Sequence, residues 1–208
     1  LRRDLVDRTL QLLIQRHESL RTTFTASEGI PACRIDVSPE VRIQELDIRQ
    51  HSPDRSEENL QRELRALLAR PFDLSSGPLW RAVLLRTADR EWVLALVFDH
   101  IIIDGLSLGV LLEEFRQVYT QLACGSEVIL PPINRQYADL VALDNERLRG
   151  ERLERHLQFW KQELAGLPEA LQLPTDRPRP AVQTYRGARV GRVFTLLPRL
   201  RAAARQLR

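Results

Sequence analysis

The chain has 208 residues, 43% apolar and 28% charged, a balance that excludes a disordered polypeptide and suits one domain with a sizeable core, or part of a larger one. Its 31 basic residues comprise Lys161 and 30 arginines, interleaved with 28 acidic residues for a net charge of +3, which argues for solvated helix faces and against a nucleic-acid interface. No stretch approaches the ~18 consecutive apolar residues of a membrane span, and residues 1–20 lack a signal-peptide pattern, so a cytoplasmic protein is expected.

The chain begins at Leu1 and contains no methionine, which points to a piece of a longer polypeptide. Cys33 and Cys124 lie far apart, form no metal-ligand spacing, and are expected to be buried thiols.

Leu5, Val6, Leu10, Leu13 and Ile14 recur at helical spacing, predicting an amphipathic helix over 4–18. Residues 21–25 and 32–37 form two β-prone runs around the turn signal Ser27-Glu28-Gly29, and 41–48 alternates as a further strand. A polar turn at 51–55 leads to a helix over 57–68, which must stop before Pro71. Strands are predicted at 79–86 and 92–98, the second apolar enough for a central strand buried on both faces. A helix over 106–122 is expected to turn Leu108, Leu111, Leu112, Phe115 and Tyr119 to the core. Residues 136–166 are mainly helical, with Trp160 as a core anchor, and 173–180 is a proline-rich surface connector. A late strand at 187–197 and a helix from 200 complete an α+β pattern, a mixed sheet covered by helices, without internal repeats.

The chemically informative stretch is Phe98-Asp99-His100-Ile101-Ile102-Ile103-Asp104-Gly105-Leu106-Ser107. An apolar strand ends abruptly in His100, followed by Asp104 and then Gly105 at the mouth of a helix. A histidine there can serve as a general base, and the helix's first free N–H groups can stabilise an oxyanion. The structural alternative is a satisfied histidine, with Asp104 capping the helix and Gly105 easing the turn.

This stretch resembles the His-His-three-residues-Asp-Gly motif of the condensation-domain superfamily, which includes chloramphenicol-acetyltransferase-type acyl transferases. Other segments resemble the same family in the same order: Arg16 to Phe24 (Arg-His-Glu-Ser-Leu-Arg-Thr-Thr-Phe), Arg70 to Leu79, Gln136 to Asp139, Leu173 to Pro180, and Tyr185-Arg186-Gly187. The chain is therefore identified as the N-terminal lobe of a nonribosomal peptide synthetase condensation domain, spanning 1–208, of the kind found in antibiotic and other secondary-metabolite synthesis.

The resemblance implies a chloramphenicol-acetyltransferase-like lobe whose second, absent lobe completes a tunnel, so this half alone is expected to be inactive. The implied partners are donor and acceptor peptidyl or acyl carrier proteins, with an adenylation domain in the parent chain. No cofactor of its own and no metal are implied; phosphopantetheine arrives on the carriers. His100 falls on the second motif histidine, placed near the attacking amine. Free α-amines titrate near ~7.7 and histidine near ~6.5, so the imidazole would act on the proton that becomes acidic during attack, or position the amine. Asp104 matches an aspartate that pairs with an arginine, and Gly105 a glycine whose backbone approaches the thioester. Arg16, His17 and Arg21 lie on the early motif, where packing and charge pairing are expected rather than chemistry.

Asp99 stands where the family has its first histidine, and a carboxylate there would raise the His100 pKa if the side chains met. With Asp104 and Ser107 it also matches the Asp-Asp-Ser signature of heterocyclization domains. The alternatives to amide formation are therefore a heterocyclizing variant, a separate acyl transferase acting on alcohols, and a silent domain that binds carriers or recruits a partner.

Overall fold

The apolar stripe of the first helix, α1 (Arg3–Arg16), has one face to bury, and all five expected core positions on it are buried. The computed structural model describes residues 1–37, 42–49, 56–168, 173–178, 180–182 and 191. The polar turn at 51–55, the Tyr185-Arg186-Gly187 segment, the strand expected at 187–197 apart from Gly191, and the final helix lie outside the described residues. The chain divides into two compact units, Leu1–Gln158 and Phe159–Arg208.

In the first unit a 3₁₀ turn (Glu18–Arg21) follows α1 and leads into the hairpin β1 (Thr22–Ser27) and β2 (Ile30–Ile35). The two-residue loop places Glu28 at φ 52° and Gly29 at φ 79°. Two positive φ values suit the twist of a tight hairpin, and glycine takes one of them without strain.

A mixed three-stranded sheet has the order β3-β4-β5. β3 (Ile43–Asp47) runs parallel to β4 (Trp80–Arg86), which pairs antiparallel with β5 (Trp92–Phe98). Alternation along the strands serves two cores. Trp80, Ala82 and Leu84 face one side with Leu94 and Leu96, against α1 and α3 (Gly105–Ala123). Val83, Leu85 and Ala95 face the other, against Leu60, Leu64 and Leu67 of α2 (Ser56–Ala69). Each buried aliphatic side chain contributes roughly 1.5–3 kcal/mol, so the sheet is fixed from both faces.

The central strand among the described residues is β4, not β5 as its composition led us to expect. Both faces of β5 do carry apolar packing, but it is the outer strand. On α3 the inward stripe is Leu111, Phe115, Val118, Tyr119 and Leu122; Leu108 and Leu112, expected in the core, are exposed. The first turns of α3 are apolar nearly all round, so periodicity alone could not select the inward side.

The helical region after Pro132 is two helices, α4 (Tyr137–Arg147) and α5 (Gly150–Glu163), interrupted where Gly150 adopts φ 54°. Both cysteines are exposed, contrary to expectation: Cys33 lies on the outward β2 and Cys124 caps the C-terminus of α3. Among the described residues, no helix is long and apolar enough to cross a membrane.

In the second unit, Trp160 is not a core anchor. It is 56% exposed, with its ring edge-on to Phe159 at a centroid distance of 5.3 Å. The described part of 173–180 is exposed, as a surface connector should be.

Candidate active site

The β4–β5 ladder runs one bond beyond Phe98: the Asp99 N–H donates to the carbonyl of Leu79 at 2.9 Å. The backbone then turns sharply. Asp99 Oδ1 accepts the N–H of Ile101 at 3.0 Å, and its carbonyl accepts the N–H of Ile102 at 3.2 Å. Ile102 is buried and pegs the turn into the larger core, while His100 and Ile101 stand exposed. His100 is thus presented at the open end of the sheet on a pinned turn.

Four residues on, Asp104 is the N-cap of α3. Its Oδ1 accepts both the N–H and the hydroxyl of Ser107 at 2.7 Å. These bonds, the serine hydroxyl first, hold its carboxyl below the ordinary range; the nearby His100 adds a smaller attraction. The arginine partner implied by the resemblance is not found among the described residues. The cap carboxylate occupies the Ser107 N–H, one of the first N–H groups of α3. Asp99 turns its carboxylate to the Ile101 N–H rather than serving as a partner for His100.

Gly105, the first residue of α3, has no positive φ, and a Cβ built on it would meet nothing within 4 Å. Among the described residues, neither conformation nor packing calls for glycine there. The open space beside its backbone suits the close approach of another molecule.

The early segment is structural. Arg16 holds the Glu114 carboxylate on α3 with Nε and Nη2 at 3.1–3.2 Å, and Nη2 also donates to the Pro131 carbonyl. His17 Nε2 lies 2.6 Å from the other side of the same carboxylate. Burial pushes Glu114 up, but the bonds from Arg16 and His17 outweigh it and leave the carboxyl below its ordinary value. Arg21 donates to the Asp36 carbonyl at 2.7 Å and pairs with Glu18 at 3.5 Å. Arg16 and His17 thus brace α3, while Arg21 ties the 3₁₀ turn to the end of β2; none of the three has His100 as a partner.

The other motif segments interlock with this brace. Gln136 Nε2 donates to the Arg16 carbonyl at 2.9 Å, and its Oε1 accepts the Glu18 N–H at 3.2 Å. Trp80 Nε1 donates to the Leu20 carbonyl at 2.9 Å, and the Leu74 carbonyl accepts the Phe24 N–H at 2.7 Å. A Cβ on Gly77 (φ 57°) would fall 2.7 Å from Thr23 Cγ2, so that glycine is required by close approach. Glu114 escaped the sequence reading. An acid one turn from Leu111 and Val118, on the inward stripe, was the available signal that a cation must meet it.

Among known proteins, the family model described as a condensation domain matches residues 1–206. The chain is 40% identical over 202 residues to a linear gramicidin synthase of Brevibacillus parabrevis, covering 96% of this chain and 3% of that protein. It is 40% identical over 199 residues to phosphinothricin tripeptide synthetase PhsC of Streptomyces viridochromogenes, covering 95% of this chain and 18% of that one. It therefore spans a small part of these relatives. The X-domain in complex with OxyB from teicoplanin biosynthesis gives a TM-score of 0.80 at 28% identity, over 89% of this chain and 40% of that one. The starter condensation domain of the rhizomide synthetase RzmA gives 0.72 at 21% identity, over 81% of this chain and 40% of that one, a likeness of fold.

Proposed function

This chain belongs to the condensation-domain family of nonribosomal peptide synthetases, with its chloramphenicol-acetyltransferase-like α+β fold, and from that premise we propose that it is one lobe of a domain joining two carrier-bound groups through an amide bond. The observation that supports this most is His100, exposed at the sheet's end on a turn braced at both sides. In this reading the acceptor's α-amine nitrogen attacks the donor thioester carbonyl. The C–N bond forms, the C–S bond breaks, and the proton lost by nitrogen passes by way of His100 to the departing thiolate. A general base contributes about 10²–10⁴-fold; a positioning group contributes less.

The open space at Gly105 is where the donor's phosphopantetheine arm would pass, delivered by a carrier protein in the cytoplasm. Donor and acceptor carriers are the proposed partners, with an adenylation domain elsewhere in the parent chain. Amide formation is assigned to the parent domain, since this chain covers 40% of the structural relatives' length. By itself it supplies one wall of the site and is not expected to turn over.

Asp99, Asp104 and Ser107 match the heterocyclization signature, yet all three spend their side chains on local backbone and on each other. That favours a linear amide product. One observation supports a second reading, recruitment without bond formation: the likeness to an X-domain known in complex with OxyB.

The deciding experiment is amide formation by the parent domain with loaded carriers, followed by mass spectrometry of the carrier-bound product, wild type against His100→Ala. Amide from wild type and its loss in the variant support condensation. A product lighter by one further water supports heterocyclization. Carrier binding with no product from any loaded pair supports recruitment.

A further inference from the structure

We propose that Asp99 is a positioning residue for His100, and that what it supplies is an acceptor atom one bond beyond Cγ, not a negative charge. The inference rests on the amide-forming reading of this site.

Three backbone hydrogen bonds converge on Asp99, and together they define where His100 stands. The N–H of Asp99 is tied to Leu79, which fixes the turn to the end of the sheet. Its Oδ1 holds the N–H of Ile101, and its carbonyl holds the N–H of Ile102, so the chain on the far side of His100 is tied back to the residue before it. His100 itself, exposed, has nothing else on its own turn to set its backbone. Buried Ile102 gives the turn depth, and the Asp104 cap fixes its exit. Remove the side-chain acceptor at 99 and the turn keeps its peg but loses the bond that closes over His100.

The geometry also accounts for the interchange of aspartate and histidine at this position. The Oδ1 of aspartate, the Oδ1 of asparagine and the Nδ1 of a neutral imidazole each sit one bond beyond Cγ and each can accept an N–H. Such a local side-chain-to-backbone bond depends on acceptor position, so the formal charge is dispensable. Alanine offers no acceptor at all.

The test uses the full parent domain with loaded carriers at pH 8, where a free imidazole, near ~6.5, is neutral. Wild type is compared with Asp99→Ala, Asp99→Asn and Asp99→His, separating kcat from KM and following amide hydrogen exchange at Ile101. We expect Asn and His variants to keep kcat within about threefold, because the acceptor remains. The Ala variant should lose at least about tenfold in kcat with KM little changed, a 1 Å misplacement being able to cost about 10²-fold. Exchange at Ile101 should rise in the Ala variant alone. An Asn variant as slow as Ala would show that charge is needed and overturn the proposal, as would an Ala variant equal to wild type. If wild type forms no amide, the functional reading fails separately. The exchange measurement then decides this one: protection kept by Asn and lost by Ala supports it, and protection unchanged in Ala overturns it.

Discussion

The side-chain amide of Gln136 donates to the carbonyl of Arg16 at 2.9 Å across 120 residues of sequence, and its oxygen takes the N–H of Glu18. One planar group thereby joins the end of α1 to the start of α4. Replacing Gln136 with alanine should cost about 1–2 kcal/mol, since it strands two part-buried backbone groups. Gln136→Glu keeps the acceptor and loses the donor, and should fall between. Thermal unfolding of the three proteins checks the order.

Glu114→Gln should destabilise the chain by about 2 kcal/mol at neutral pH, because hydrogen bonds to charged groups are worth about 1.5–3 kcal/mol. The folded state holds this carboxyl below its ordinary 4.5, so the unfolded chain takes up the proton first as pH falls. The contribution is complete above about 4.5 and is lost as pH drops through the lower folded value. Denaturant titrations of wild type and variant at several pH values should therefore converge in acid and separate toward neutrality.

Gly105→Ala separates stability from activity. Alanine is the better helix former by up to about 1 kcal/mol, and its methyl meets nothing among the described residues. The unfolding midpoint should hold or rise. Under the proposed function, amide formation by the parent domain should drop, because the methyl would fill the space proposed for the pantetheine arm. A variant that is both more stable and fully active would remove Gly105 from the site.

Two neighbours on α3 test which stripe faces inward. Leu111 is 5% exposed and Leu112 49%. Leu111→Ala should cost about 2–5 kcal/mol, the range for emptying a packed leucine site, whereas Leu112→Ala should stay within about 0.5 kcal/mol. The same substitution at adjacent positions leaves helix propensity out of the comparison.

The legible parts of this molecule were those governed by local periodicity. Every apolar position chosen on α1 is buried, and the hairpin turn lies where Glu28-Gly29 indicated, because spacing and turn chemistry act over a few residues. The α3 face was harder: Leu108 and Leu112 flank the inward stripe while Leu106 and Val110 lie round the far side, so apolar residues surround the first turns and only the position of the sheet selects the buried face. Trp160 and the two cysteines were misplaced for a related reason. Residue type carries a burial preference, while burial itself is decided by what lies opposite. In the site, Asp104 as an N-cap followed from sequence. The Asp99 bond to the Ile101 N–H is a local pattern that sequence can offer, whereas the Glu114 brace required a partner that no spacing rule names, since Glu114 lies 98 positions from Arg16.

The placement of Cys33 and Cys124 has a practical side. With no methionine in the chain and both thiols at the surface, every sulfur atom faces solvent. Mild peroxide should therefore modify the exterior and leave the packing intact. Maleimide dyes or nitroxides can be attached to the hairpin and to the far end of α3 without engineering a single residue. Two native thiols thus report on the separation between the hairpin and the C-terminal end of α3.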